Sequence, residues 1–313
     1  MSNDGNVTSD HLLVSLPDAG LAEALGNTDG VEIVVWDMTG PAPFPAFDIV
    51  VAPYLSGLGW IEQLSGVRIG LVQSPMVGYD GMENALPSGI VYANAASVHE
   101  TSTAELTLAL ILASQRGIPE FVRAAERGQW ARQWRPSLAD RHVLLIGYGG
   151  VGQAIAQRLK PFEVSLTRVA HGARSDEDGD VYGIESLFEL LPSAEVVIVV
   201  VPLSESTNHL IDDAFLSRMR DDSLLVNVSR GRVADTEALL SHASTGRIRL
   251  ALDVTDPEPL PEGHPLFALE NVLISPHVGG ATSAGAPRLI RLVKEQIERM
   301  CRGDEPLNVV LRT

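Results

Sequence analysis

Two α/β units, each a mainly parallel sheet doubly wound with helices on both faces, make up the fold class that this 313-residue sequence predicts. Three observations carry the prediction. Short apolar runs alternate with amphipathic or turn-rich pieces over the first hundred residues, the alternation restarts at residue 142, and a glycine-rich turn joins strand to helix at that restart. Strands alternating with helices imply parallel sheets covered on both faces.

In the first part, residues 11–16, 31–36, 48–53, 68–73 and 90–93 read as strands, with short helices at 18–25, 59–64 and 79–86. Proline-rich GPAPFPAF, 40–47, reads as a loop. TSTAELTLALILASQR, 101–116, is a long helix in which Ser102 and Glu105 are spaced for a capping box. Its nearly all-round apolar surface predicts burial between two domains. Residues 119–134 are expected to continue helically, with Trp130 and Trp134, four apart, serving in packing. Later strands fall at 142–146, 164–170, 195–201, 223–228, 249–254 and 271–275, with no linker between the two units. SDEDGDVYG, 175–183, reads as a solvated acidic loop rather than a metal site. The amphipathic helix at 289–301 could return to the first domain and make it discontinuous.

HVLLIGYGGVG, 142–152, organises the second unit. Gly147, Gly149 and Gly152 form G-x-G-x-x-G between an apolar strand and a helix at 153–160, the context that a dinucleotide phosphate site requires. The first glycine makes the tight turn, the second lets backbone approach a pyrophosphate, and the third lets helix pack on strand with its amides facing the anion.

Composition narrows the partners. A net charge of −17 argues against nucleic acid or an anionic membrane. The polar, acidic start MSNDGNVTSD resembles neither a signal nor a transit peptide, and no apolar stretch reaches the roughly 18 residues of a spanning helix. The single cysteine, Cys301, excludes an internal disulfide framework and a Cys-rich metal site, which fits a reducing cytoplasm.

Three polar clusters sit at or just past late strand ends, where open α/β sheets place their ligands. Arg230 follows an apolar strand in NVSRGRVAD, beside Gly231, and its planar donors suit a carboxylate. Asp253 ends the next strand and Glu258 lies in the proline-rich loop after it; His277 follows the last strand, in ISPHVGG. A lone strand-end His is ordinarily structural. A Glu in one strand-end loop and a His in the next could instead form an oriented acid/base pair.

Taken together, LIGYGGVG (145–152), VVVPLSESTNHLI (199–211), VNVSRGRVADTEAL (226–239), ALDVTDPEPLPEGHPLF (251–267) and NVLISPHVGGAT (271–282) resemble the D-isomer-specific 2-hydroxyacid dehydrogenase family, its glyoxylate/hydroxypyruvate reductases among them. The resemblance implies a Rossmann nucleotide-binding domain at 101–282 and a flavodoxin-like substrate domain from 1–100 with 283–313. It also implies an NAD(P)-dependent oxidoreductase acting on a small 2-oxo or 2-hydroxy acid, and a homodimer built on the nucleotide domains. By resemblance, His277 would be the acid/base that donates to the carbonyl oxygen. Glu258 would orient its imidazole and stabilise the protonated ring, and Arg230 would bind the carboxylate and polarise the carbonyl. Val77 and Gly78, in QSPMVGYD, match the loop whose amides bind that carboxylate. Asp253 matches a contact to the nicotinamide carboxamide, and Thr103 one near its ribose-phosphate. Gly150, Val151, Val201, Pro202, Thr207, Val228, Ser229 and Gly279 complete the implied cofactor set. Met76, Tyr54 or Leu55, with a residue from a second subunit, would select the acid's side chain.

One departure bears on the cofactor. About twenty residues past the glycine turn an NAD-specific fold presents Asp or Glu to the ribose 2′-hydroxyl. Here the chain reads Arg168, Val169, Ala170, His171, Gly172, Ala173, Arg174. Arg174 and His171 could pair with a 2′-phosphate, so NADP(H) is expected over NAD(H), which remains possible. The alternative function is a nucleotide-sensing protein like the family's corepressors, against which the intact Arg230, Glu258 and His277 set argues. Formate enzymes of the family carry Gln where Glu258 stands, which argues against that branch.

Overall fold

The structure, a computed structural model, describes residues 11–54 and 57–313. The chain forms two compact units, one running to His99 and resuming over Ser283–Thr313, the other spanning Glu100–Thr282.

The first unit opens with β1 (Leu12–Leu16), α1 (Ala19–Leu25), β2 (Val31–Val35), β3 (Ala46–Val51), β4 (Arg68–Gln73), α2 (Met82–Ala85) and β5 (Val91–Ala93). Asp18 starts α1 by accepting the Leu21 amide. The expected helix at 59–64 is a 3-10 turn, and the one at 79–86 contracts to the single turn of α2. The proline-rich stretch yields its last two residues to β3, where Phe47 stacks on Trp36 at 5.5 Å between centroids.

The second unit begins with α3 (Glu100–Arg116) and α4 (Ile118–Glu126). Because α3 starts at Glu100, Ser102 lies inside it and hydrogen-bonds the Thr282 hydroxyl at 2.8 Å, so the expected capping box does not form. α4 stops at Glu126, with Gly128 turning left-handed at φ 68°. The expected helix to residue 134 is therefore absent. Trp130 and Trp134 are 92% and 102% exposed, which overturns their reading as packing residues.

The chain continues through β6 (His142–Ile146), α5 (Gly150–Leu159), β7 (Ser165–Ala170), β8 (Arg174–Asp176), β9 (Gly179–Gly183), α6 (Leu187–Leu190) and β10 (Val196–Val199). Then come α7 (Asp213–Arg218), β11 (Leu224–Asn227), α8 (Thr236–Ser244), β12 (Arg249–Leu252) and β13 (Val272–Ile274). The acidic stretch expected to be a loop is the β8–β9 hairpin. α9 (Gly285–Arg302) and β14 (Val309–Arg312) return to the first unit.

The first sheet has the order β14-β5-β4-β3-β1-β2, parallel except for β14, the flavodoxin-like arrangement with its reversal between β1 and β3. α9 buries Leu289, Leu292, Val293 and Ile297 against one face of it. The second sheet runs β13-β12-β11-β10-β6-β7-β9-β8, parallel except for β8, a Rossmann order that reverses between β10 and β6. Alternate residues of β6 enter opposite cores: Leu144 and Ile146 join one, Val143 and Leu145 the other with α3 and α5. That two-sided burial explains why the strands read as unbroken apolar runs. Among the described residues no helix is long and apolar enough to cross a membrane.

Candidate active site

The glycine turn sits at the reversal point of the second sheet. Gly147, at φ 101°, occupies left-handed backbone, and a Cβ there would lie 2.3 Å from the Val200 carbonyl oxygen beyond β10. A Cβ on Gly152 would lie 2.1 Å from the Gly147 carbonyl oxygen, so only glycine lets α5 come this close to the turn. Gly149 differs: nothing lies within 4 Å of its Cβ position. It is the N-cap of α5, which has no side-chain cap and no acid in its first turn. The leading amides of α5, through Gly150, Val151 and Gly152, thus form a cradle suited to a phosphate, and the residues present fit a dinucleotide cofactor.

The strands neighbouring this turn deliver the other residues to the same C-terminal edge of the parallel sheet. Val201 and Pro202 follow β10, and Thr207 ties their loop by donating to the Pro202 carbonyl at 2.7 Å. At the end of β11, the buried Asn227 accepts from the Ser229 amide and hydroxyl at 3.0 and 2.6 Å and donates to the Arg230 carbonyl at 3.1 Å. This side chain shapes the turn that carries Val228, Ser229 and Arg230. The Arg230 guanidinium is half-buried and donates to the Ser229 carbonyl at 2.7 Å.

Gly231 couples this turn to the next. A Cβ on it would lie 1.8 Å from the Thr255 carbonyl oxygen, in the loop that leads to Glu258. Gly231→Ala is therefore expected to displace the Arg230 and Glu258 loops together. The predicted cost is about 1–3 kcal/mol of stability with a drop in kcat/KM. Denaturant unfolding and steady-state kinetics check this, and wild-type values for both would remove the coupling.

Asp253 directly follows β12 and is only 3% exposed. Its Oδ1 accepts from the Ser275 hydroxyl (2.6 Å) and the Val278 amide (3.0 Å), and its Oδ2 from the Gly279 amide (2.9 Å). The His277 amide donates to the Asp253 carbonyl at 2.7 Å. Asp253 thus builds the turn after β13, in which His277 takes a left-handed φ of 53°. A Cβ on Gly279 would meet Asp253 Oδ2 at 3.0 Å and Thr103 at 3.3 Å, which places Thr103 of α3 beside this turn. The central contact is between the neighbouring loops: His277 Nδ1 lies 2.5 Å from Glu258 Oε1, with both side chains partly exposed. An imidazole held through Nδ1 by a carboxylate leaves Nε2 as the nitrogen for proton exchange.

After β7, His171 and Arg174 are exposed, and Arg174 donates to the Tyr148 carbonyl at 3.1 Å. In the first unit, the loop after β4 carries Val77 and Gly78. Asn94 donates to the Val77 carbonyl at 2.8 Å, the Met76 amide to the Ser74 hydroxyl at 3.0 Å, and the His99 ring bonds the Pro75 carbonyl at 2.7 Å. Tyr54 is exposed, and Leu55 lies outside the described residues. Among the described residues no group of three or more His, Cys, Asp or Glu is placed to hold a metal ion.

Asn227, Ser275 and Gly231 were not singled out from the sequence for the parts they play here. An Asn closing an apolar strand, two residues before a Ser, was the available signal for the first; the close approach at Gly231 had none.

The family model described as D-isomer specific 2-hydroxyacid dehydrogenase, NAD binding domain, matches residues 108–279. The chain is 33% identical over 250 residues to a glyoxylate reductase of Thermofilum pendens, covering 76% of this chain and 74% of that one. It is 31% identical over 280 residues to the human glyoxylate reductase/hydroxypyruvate reductase, covering 83% and 84%. A solved structure of a D-isomer specific 2-hydroxyacid dehydrogenase from Xanthobacter autotrophicus Py2, in complex with NADPH and MES, superposes with a TM-score of 0.80 at 26% identity, covering 96% of this chain and 98% of that one.

Proposed function

The chain belongs to the D-isomer specific 2-hydroxyacid dehydrogenase family, and from that membership we propose that it reduces a small 2-oxo acid to the D-2-hydroxy acid with NADPH in preference to NADH. The observation that carries this reading is the 2.5 Å His277–Glu258 pair at the sheet edge that also bears Arg230 and the phosphate-ready glycine turn. Relatives named as glyoxylate reductases support the substrate class, and none of them favours a nucleotide-sensing corepressor.

Gly147, Gly149, Gly150, Val151 and Gly152 would hold the cofactor's pyrophosphate, and His171 and Arg174 its 2′-phosphate. Val201, Pro202, Thr207, Val228, Ser229, Asp253, Gly279 and Thr103 would line its remaining length. When bound, the nicotinamide supplies the hydride that converts the carbonyl carbon to the alcohol carbon. Arg230 binds the substrate carboxylate through two parallel donors and draws electron density from the carbonyl. By the family resemblance, Val77 and Gly78 would offer their amides to a substrate carboxylate. His277 passes the proton on Nε2 to the carbonyl oxygen, and Glu258 holds the ring through Nδ1 so that this nitrogen is the one presented. The chain's residues thereby balance the reaction: the substrate gains one hydride and one proton, and the imidazole recovers its proton from solvent.

The NADP(H) preference is supported by the lack of any acid at 171–174 and by the NADPH held in the Xanthobacter relative. A homodimer is the expectation that the family resemblance gives, and Ile118 and Val122, four apart on α4, are exposed apolar side chains on the second unit. Gel filtration with light scattering should give twice the 33.5 kDa chain mass; a monomer refutes the dimer. A cytoplasmic location fits the single cysteine.

The decisive assay follows absorbance at 340 nm with NADPH and with NADH. It offers glyoxylate, hydroxypyruvate, pyruvate, phenylpyruvate and branched 2-oxo acids. Turnover of at least one with NADPH, at higher kcat/KM than with NADH, is expected. No turnover of any acid by protein that binds the cofactor would overturn the reductase reading, and higher efficiency with NADH would overturn the preference.

A further inference from the structure

A charged side chain sits where the apolar strand pattern leaves no place for one. Arg168 lies in the middle of the run of β7, paired with Leu145 of β6 and Val181 of β9, and is only 4% exposed. A buried guanidinium is tolerated only when its donors are used and its charge is matched. Both conditions are met from the β8–β9 hairpin. Arg168 Nη1 donates to the two oxygens of Asp176 at 2.8 and 2.9 Å, and Nη2 to the Asp180 carbonyl at 3.3 Å. The same Nη1 reaches the Tyr148 hydroxyl at 2.9 Å, and the guanidinium carbon lies 4.8 Å from the centre of that ring. Tyr148 is the residue between the first two glycines of the phosphate turn.

Arg174 engages the same tyrosine from the start of the hairpin. It donates to the Tyr148 carbonyl at 3.1 Å, and its guanidinium carbon is 5.7 Å from the ring centre. Unlike Arg168, it is exposed. The other anchors of the hairpin are the parallel ladder of β9 on β7, in which Val181 and Gly183 are buried, and an ion pair from Lys160 to Asp178 in the turn at 2.6 Å; all three residues of β8 are exposed. Asp176 also accepts the Asp178 amide at 2.9 Å, and Ser175 bonds Asp180 at 2.7 Å, so the turn is organised around these carboxylates. The hydrogen bond from Arg168 is the chief reason that the Asp176 carboxyl is held below the usual carboxylate range.

We propose that the Arg168–Asp176 pair is a positioning device for cofactor selectivity: it locks the β8–β9 hairpin against Tyr148 and so presents Arg174 to the 2′-phosphate of NADP(H). This rests on the NADP(H) reading above. Asp176 is the first acid after β7, six residues beyond its end, yet both its oxygens face Arg168 and its charge is matched there. It therefore serves the fold of the hairpin and is not the acceptor for a ribose 2′-hydroxyl that an NAD-specific site would place in this region.

The sign of one mutational effect separates positioning from simple charge. Asp176 is an anion close to the proposed phosphate site, so as a mere charge it would repel the phosphate, and its removal would raise the preference for NADPH. As a positioning residue, its removal frees the hairpin and Arg174 with it. Asp176→Ala should then lower the NADPH-to-NADH ratio of kcat/KM by about tenfold, the loss of one charge-assisted hydrogen bond. Arg174→Ala should lower it by a similar factor. General loss of structure would damage both cofactors alike and leave the ratio alone.

The same prediction is read without catalysis by calorimetric titration of adenosine 2′,5′-bisphosphate and 5′-AMP into the full-length protein. Asp176→Ala should lose affinity for the bisphosphate and keep it for AMP. Should that variant not fold, Asp176→Asn, which retains an acceptor for Arg168, carries the same sign with a smaller loss. A ratio that rises or stays unchanged in these Asp176 variants, while the wild type still discriminates, overturns the positioning role alone. A wild-type protein that binds the two nucleotides alike overturns the NADP(H) reading and this proposal together.

Discussion

Replacement of His277 is expected to lower kcat by about 10²–10⁴-fold, the usual contribution of a positioned general acid. Without it the developing alkoxide must take its proton from water while Arg230 alone offsets the charge. The choice of replacement matters, because His277 holds a φ of 53°, and left-handed backbone is costly for most L-residues but tolerated by Asn. His277→Asn is therefore the cleaner variant, since it keeps the turn that Asp253 organises while removing the titrating ring. His277→Ala adds backbone strain to the chemical loss. Glu258→Gln should cost less than either, because a neutral acceptor can still hold Nδ1. Single-turnover rates at saturating cofactor measure these effects, and an unchanged rate in His277→Asn removes this residue from proton transfer.

Arg230→Lys should reduce kcat/KM for 2-oxo acids by roughly tenfold to hundredfold, the equivalent of one hydrogen bond to a charged group at about 1.5–3 kcal/mol. The substitution keeps the positive charge, so a simple electrostatic role predicts little change. A lysine ammonium cannot reproduce two parallel donors, nor can it both accept the geometry set by Ser229 and reach a carboxylate bidentately. The loss should be smaller for a substrate without the carboxylate, which keeps only the carbonyl for Arg230 to polarise. Comparing a 2-oxo acid with the corresponding aldehyde makes the test specific: equal kcat/KM for the acid in both proteins refutes the carboxylate role, and an equal loss on both substrates assigns Arg230 to the carbonyl instead.

Some of this site was open to reading along the chain because its requirements are local. A glycine at φ 101° and another packed 2.1 Å (as a Cβ position) from a carbonyl oxygen constrain residue identity at fixed spacing, so the G-x-G-x-x-G turn is visible in eleven residues. The two-sided burial of the central strands is visible in the same way, as runs without polar alternation. Other features have no local signature. Residues 175–183 are acidic and lack apolar periodicity, and they form a hairpin because a guanidinium on β7 needs carboxylate and carbonyl partners. Trp130 and Trp134 show the converse failure. Their hydrophobicity favours packing, but the helix that would have carried them ends at Glu126, and hydrophobicity does not by itself say what a side chain will touch.

What the sequence by itself determined is the class of fold, the turn that can cradle a phosphate, and the kinds of residue available at each strand end. Only the tertiary structure decided which of those residues meet. Glu258 and His277 are nineteen positions apart along the chain and 2.5 Å apart in space. They meet because β12 and β13 lie side by side in one parallel sheet and because Asp253, directly after the first, accepts the amides of the turn after the second. Backbone preferences act over a few residues and can be read in order, whereas a hydrogen bond between loops depends on strand neighbours that the order of residues does not state.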